Sequence, residues 1–205
     1  MKRFIAGAFR AFGAVYIPEE LIGRPGEFLL HVSDTPSSFF PDLNRIISKV
    51  RPLWVVHTGD LVDQVKLGLY PSLINTYRDR IPRLSAILDR GSRKGDFQVV
   101  ISLGNHDDSD TVEEFFPHCH IIDKVGGFSV YGWSFKASHY SSLISGSKDV
   151  IGLFGHDLSS LEGDPFGLNG IKNVNLFSLK TGEVYEIPYP RYIDDQRQMK
   201  RRIGL

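Results

Sequence analysis

The sequence predicts an α/β protein, a four-layer α/β/β/α sandwich in which two mixed sheets pack face to face and helices lie outside. Three observations carry this expectation. Between residues 28 and 116, apolar runs of strand length alternate three times with stretches of helical periodicity, the pattern of parallel strands joined by right-handed crossovers. From about residue 119 the chain changes to short strands separated by Gly, Ser and Asn turns, which reads as a second, more antiparallel sheet. The 205 residues are 41% apolar, enough for one well-packed domain over 1–205, and no linker, repeat or low-complexity boundary divides them.

Taken in order, residues 1–27 stay unassigned. Phe4, Ile5, Ala8, Phe9, Phe12, Val15 and Tyr16 fall on one helical face, while Gly7 and Gly13 argue equally for a hairpin. Arg10 interrupts the apolar stretch at about half the length of a signal-peptide core, so a cytoplasmic chain is expected. No apolar run approaches the roughly eighteen residues of a membrane span. FLLHVS (28–33) is a buried-strand pattern, and Leu43, Ile46, Ile47 and Val50 then mark one helical face. LWVVHTG (53–59) is the next strand. Leu73, Ile74, Tyr77, Ile81, Leu84, Ile87 and Leu88 predict a long helix that Pro82 should kink or divide. FQVVISLG (97–104) is the third strand, and Asp110 with Glu113 has capping-box spacing for a short helix ahead of Phe115 and Phe116.

CHIID, FSVYGWSFKAS, DVIGLFG, NVNLFSL and GEVYEIP supply the strands of the second sheet. The polar tail, residues 190–205, ends basic and is expected to be solvated or frayed rather than a binding arm. With 24 basic and 24 acidic side chains the formal charge is zero, so no net field draws the chain to nucleic acid or an anionic membrane; a local groove stays open. The single cysteine, Cys119, excludes an internal disulfide and a thiolate cluster, fits a reducing compartment, and is read as a packing residue.

The chemistry collects where strands end. Asp34 closes the first strand, Gly59-Asp60 the second, and Gly104-Asn105-His106-Asp107 the third, at the carboxyl edge where open α/β sheets place their sites. The later strands add His139 in KASHYSS and His156 in LFGHDL. Carboxylate, amide oxygen and imidazole together suit manganese, iron, zinc or nickel better than calcium or a thiolate-bound metal. Singly, each residue has a plainer role. Asp34 and Asp60 could cap the following helices, Asn105 and His106 could serve a turn, and His118 or His120 competes with His139. His31 and His57 each lie three residues before an Asp, on the opposite face of a strand, and are read as structural.

The order of these elements resembles the calcineurin-like metallophosphoesterase family, whose pattern is D-x-H, G-D, G-N-H-D or G-N-H-E, a lone His, and G-H-x-H. Here the series is D-T-P at 34–36, G-D-L-V-D at 59–63, G-N-H-D at 104–107, His139, and G-H-D-L at 155–158. The resemblance spans residues 28–158. It implies that one metal is held by Asp60, Asn105, His139 and His156. A second, sharing Asp60, would be held by Asp34 and by two histidines that this chain replaces with Pro36 and Leu158. His106 would by the same resemblance assist the leaving oxygen as a general acid or hydrogen-bond donor.

The expectation is a metal-dependent phosphoesterase acting on a phosphorylated small molecule or nucleotide. One divalent ion (Mn, Fe, Zn or Ni) is bound tightly and the second weakly or not at all, with Asp34 aided by Asp63 or Asp157. The alternative is a weakened module that keeps the fold to bind a partner, against which the retained His106 argues. A nuclease would need a phosphate-tracking surface that the neutral charge does not reveal, although Phe39 and Phe40 could stack a base if they do not staple the next helix to the core.

Overall fold

The computed structural model describes residues 13–144, 149–158 and 167–197. Phe4, Ile5, Ala8, Phe9, Phe12 and the last eight residues of the tail lie outside this range. The three strand-helix repeats are present. Strand β1 (Phe28–Val32) leads to helix α1 (Phe40–Val50), β2 (Trp54–His57) to α2 (Ile74–Lys94), and β3 (Gln98–Ser102) to α3 (Ser109–Phe115). β1 pairs parallel with β2, and β2 with β3, so their carboxyl ends share one edge.

Strand alternation divides the core in two. Phe28, Leu30 and Val32 turn toward the helices, where they meet Leu43, Ile46, Ile81 and Leu84. Leu29, Val56 and Val100 turn the other way, onto Phe135, Ala137 and Leu153 of the second sheet. A one-residue slip in β1 would exchange these faces, so its register is fixed by burial on both sides. Phe39 and Phe40 are both buried in the helical core, which removes them from any role in stacking a base.

Pro82 does not divide α2, which runs unbroken from Ile74 to Lys94. Pro82 is exposed, so the Arg78 carbonyl that loses its helical donor lies on the solvent side. The N-cap of α3 is Asp108 rather than Asp110; its carboxylate accepts from the Thr111 backbone N–H at 3.0 Å.

The later strands divide between the two sheets, contrary to the expectation that all of them form the second. β4 (His120–Ile122), from CHIID, adds parallel to β3 at one edge of the first sheet. β9 (Asn173–Ser178) and β10 (Val184–Pro188) add antiparallel beyond β1, giving the six-strand order β10-β9-β1-β2-β3-β4. β9 is apolar on both faces, with Val174 and Leu176 toward the helices and Phe177 toward the second sheet, so it requires an interior position.

The second sheet has the order β5-β6-β7-β8 and is less antiparallel than expected. FSVYGWSFKAS splits at Tyr131-Gly132, both with positive φ, into the hairpin of β5 (Val125–Val130) and β6 (Trp133–Ser138). β7 (Ile151–Phe154) and β8 (Gly167–Asn169) then add parallel. About a dozen residues separate β6 from β7 and β7 from β8, the length of a crossover rather than of a hairpin loop.

Of residues 1–27, the described part runs from Gly13 and buries Val15 and Leu21 against the helical core. As far as it is described, the tail from 190 forms helix α4 (Arg191–Gln196), which exposes Arg191, Asp195 and Gln196 but buries Ile193, and Arg197 behind it is 2% exposed. Among the described residues no helix is long and apolar enough to cross a membrane.

Candidate metal centre

The chain leaves β1, β2 and β7 through a backbone that few residues adopt. Asp34, Asp60 and His156 have φ of 51°, 53° and 63°, three of the six non-glycine residues with positive φ in the described chain. Strain gathered at strand ends marks a site where the surrounding structure fixes unusual geometry. The Asp34 N–H donates to the Gly59 carbonyl at 2.9 Å and the Thr35 N–H to the Asp60 carbonyl at 3.1 Å, so the first two loops are tied together. Gly155 permits the approach of the β7 loop, because a Cβ there would collide with Ser33 Oγ and Asp34 Oδ2.

Three buried side chains meet as a result. Asp34, Asp60 and His139 each offer a ligand atom, and these atoms lie within 4.8 Å of one another. His139 stands just past the end of β6, and its Nδ1–H donates to the Thr58 carbonyl at 2.7 Å. In the neutral ring this leaves a lone pair on Nε2, an assignment made from the hydrogen-bond network. That Nε2 faces Asn105 Oδ1 at 3.1 Å, His156 Nδ1 at 3.1 Å and Asp60 Oδ2 at 3.6 Å. Several electron-pair donors therefore converge on one point, an arrangement that a shared cation resolves.

The carboxylates make the same demand. Burial, followed by the charges of Asp34, Asp107 and Asp63, pushes the Asp60 carboxyl well above the usual range. A divalent cation beside Asp60 would reverse that balance, as bound ions do in such sites. The residues present thus fit a divalent metal: Asp34, Asp60 and His139, with Asn105 and His156 beside the His139 Nε2, could hold it.

The other sequence candidates are also placed. His106 is 8% exposed, and its Nδ1 accepts from the Gly68 N–H at 3.0 Å, which puts the ring proton of the neutral form on Nε2. Burial, assisted by the Lys66 ammonium, pushes its pKa down to about 4. Pro36 is buried and caps a 3-10 turn at Ser37–Phe39, whereas Leu158 is 45% exposed. Asp63 is 1% exposed and paired with Lys66, and Asp157 is exposed. His118 bonds Asp89 at the carboxyl end of α2, and His120 is exposed on β4. His31 and His57 are wholly buried, bonded to Thr58 Oγ1 at 2.9 Å and Thr35 Oγ1 at 2.8 Å, and burial pushes both pKa values down to about 3.

Three contributors were not read from the sequence. Asp107 accepts from the backbone N–H groups of Asp60, Leu61 and Gly104 at 2.8, 2.8 and 2.9 Å and from the Tyr77 hydroxyl at 2.9 Å. Arg197 donates to the carbonyls of Asp34, Ser33 and Ile171 at 2.6, 3.0 and 2.9 Å, with its guanidinium 4.1 Å from the Tyr189 ring centroid. Lys66 pairs with Asp63. Asp107 at least stood inside G-N-H-D; Arg197 and Lys66 carried no motif.

Carboxylate, amide and imidazole ligands at the carboxyl ends of strands, in two mixed sheets flanked by helices, define a protein of the metallophosphoesterase class. The chain belongs to the calcineurin-like phosphoesterase family, whose sequence profile matches residues 29–196. That family uses divalent metals. Among solved structures the chain is similar to Yfce, a phosphoesterase from E. coli, at 13% identity and TM-score 0.48, over 80% of this chain and 100% of that one. It is also similar to the nuclease MPE of Pseudomonas putida, at 13% identity and TM-score 0.37, over 77% and 86% of the two chains. A third similar structure is the protein of unknown function AQ665 from Aquifex aeolicus, at 20% identity and TM-score 0.30, over 55% and 60%. No curated protein matches the chain.

Proposed function

We propose that this chain is a metal-dependent phosphoesterase that hydrolyses a phosphomonoester or phosphodiester with one well-formed metal site and one weakened site. The observation that carries the reading is the convergence of Asp60, Asn105 and His156 on the Nε2 lone pair of His139. A divalent transition ion held by Asp60, Asn105, His139 and His156 would supply Lewis acidity toward a phosphoryl oxygen and would lower the pKa of water.

The chain's own groups do the rest. The Thr58 carbonyl fixes the His139 ring so that Nε2 presents its lone pair, as second partners of ligating histidines do. Asp107 sets the backbone from which Asp60 projects. His106 donates Nε2–H to the leaving oxygen as a hydrogen-bond donor, since Gly68 occupies Nδ1. A module that only bound a partner would have no use for a ring held in that tautomer. A phosphorylated small molecule or a nucleotide fits a chain with no net charge to gather a polyanion.

Asp60→Asn tests the reading. It should abolish hydrolysis of a generic aryl phosphodiester and lower the metal content of the purified protein. Near wild-type hydrolysis by the variant would place the site elsewhere.

A further inference from the structure

By the family resemblance, Pro36 and Leu158 stand where two imidazoles would serve the same ion, and one buried acid tied to the Asp34 loop has no part in the other ion's ligand set. Asp63 is 1% exposed, and its backbone N–H donates to the Thr35 carbonyl at 3.2 Å, next to Asp34. The partner of Asp63 is the Lys66 ammonium, whose side chain is only 15% exposed. A Cβ on Gly68 would collide with the Asn105 carbonyl oxygen, so the segment after β2 lies directly against the loop after β3 and carries Lys66 with it. The loop that carries it is anchored over the site two residues later, where the Gly68 N–H bonds His106. Asp107 is already satisfied by three backbone N–H groups and a hydroxyl. The three carboxylates left, Asp34, Asp60 and Asp63, are balanced by one divalent ion and one ammonium, whereas two divalent ions and Lys66 would overcharge the group.

We propose that Lys66 Nζ takes the place of the second metal ion: it is the resident cation that neutralises Asp34 and Asp63 and receives a phosphoryl oxygen of the substrate. The proposal rests on the phosphoesterase reading for its substrate class. It accounts for a chain that has lost both imidazoles of one site and kept every ligand of the other, since a lysine cation needs no imidazole. An ammonium offers three donors and a point charge, which suits a phosphoryl oxygen without fixing its geometry. The proposal assigns Asp63 a role of its own, holding Lys66 in place.

Inorganic phosphate is titrated by calorimetry into wild type, Lys66→Met and Lys66→Arg, each loaded with one equivalent of Mn2+, and Mn2+ is titrated into the metal-free forms of the same proteins. Lys66→Met should bind phosphate about tenfold or more weakly, as expected for a lost charge-assisted contact, and Lys66→Arg should stay within about threefold of wild type. Lys66→Met should also bind a second Mn2+ more tightly than wild type does, because the competing ammonium is gone, with the first equivalent unchanged. Lys66→Gln replaces Lys66→Met if circular dichroism shows the latter unfolded. Equal phosphate affinity in the charge-removed variant and wild type, or no gain in second-ion affinity, would overturn the proposal. A wild type that binds phosphate through Lys66 yet hydrolyses no phosphoester would defeat the phosphoesterase reading and leave this one standing.

Discussion

Asp107 Oδ2 accepts the backbone N–H of Asp60 at 2.8 Å, and its other oxygen accepts that of Leu61 at the same distance. The acidic residue that ends G-N-H-D is therefore the clamp that sets the angle at which the β2 loop presents Asp60. Since Oδ2 also accepts from Gly104 and Oδ1 from Tyr77, both oxygens are fully used as acceptors.

Asp107→Asn should for that reason behave unlike a conservative change. An amide NH2 must face either the N–H groups of Asp60 and Gly104 or the Leu61 N–H beside the Tyr77 hydroxyl, so at least one buried donor is left unpaired, at a cost of about 1–3 kcal/mol. Urea unfolding should show that loss, and Mn2+ affinity should fall with it because Asp60 is no longer held. Unchanged stability together with unchanged Mn2+ affinity would remove Asp107 from the site.

His106→Ala separates chemistry from metal binding. The ring contacts Gly68 through Nδ1, and the amide oxygen of the neighbouring Asn105 is what faces His139. Metal content should stay near wild type while turnover falls by about a hundredfold, the scale of a lost proton or hydrogen-bond donor. Loss of metal from the variant, measured by elemental analysis, would make His106 a ligand.

Arg197 closes the back of the Asp34 loop, where three carbonyls converge on its guanidinium. Arg197→Ala leaves those acceptors without a donor and should cost about 3 kcal/mol by urea unfolding. Arg197→Lys should recover less than half of this, because a point charge cannot reproduce the planar fork. Full recovery by lysine would show that charge alone matters there.

Pro36→His and Leu158→His should couple. Pro36 has φ −71° and ψ 151°, which a histidine adopts without strain, and Leu158 is exposed. The double variant should bind a second Mn2+ more tightly than the two single changes predict by addition, read as a double-mutant cycle. A wild type that already binds two ions tightly, with no gain in the double variant, would show that Pro36 is no loss at all.

The candidate ligand positions were legible because each follows an apolar strand that ends in a polar residue, and strand ends are where the fold gathers them. Sheet membership was less so. NVNLFSL reads as a strand, but its pairing with β1, some 140 residues away, depends on a free edge that only the folded sheet displays. Asp107 sat inside a recognised motif, yet its use as an acceptor for the β2 loop appears only once two loops meet. Lys66, in the sequence DQVKLG, looked like any solvated loop residue until its partner Asp63 proved to be buried. Arg197 was hidden for the opposite reason: a basic tail is usually solvated, and here the guanidinium turns inward onto backbone carbonyls that no sequence pattern marks.

The decisive quantity is the number of ions the chemistry needs. Mn2+ is added stepwise to metal-stripped protein while binding is followed by calorimetry and hydrolysis of an aryl phosphodiester is assayed in parallel. One tight equivalent should appear, and activity should rise with it and level off as it is filled. Activity that develops only with a second equivalent, or a protein that binds no ion tightly, would contradict the single well-formed site built by Asp60, Asn105, His139 and His156.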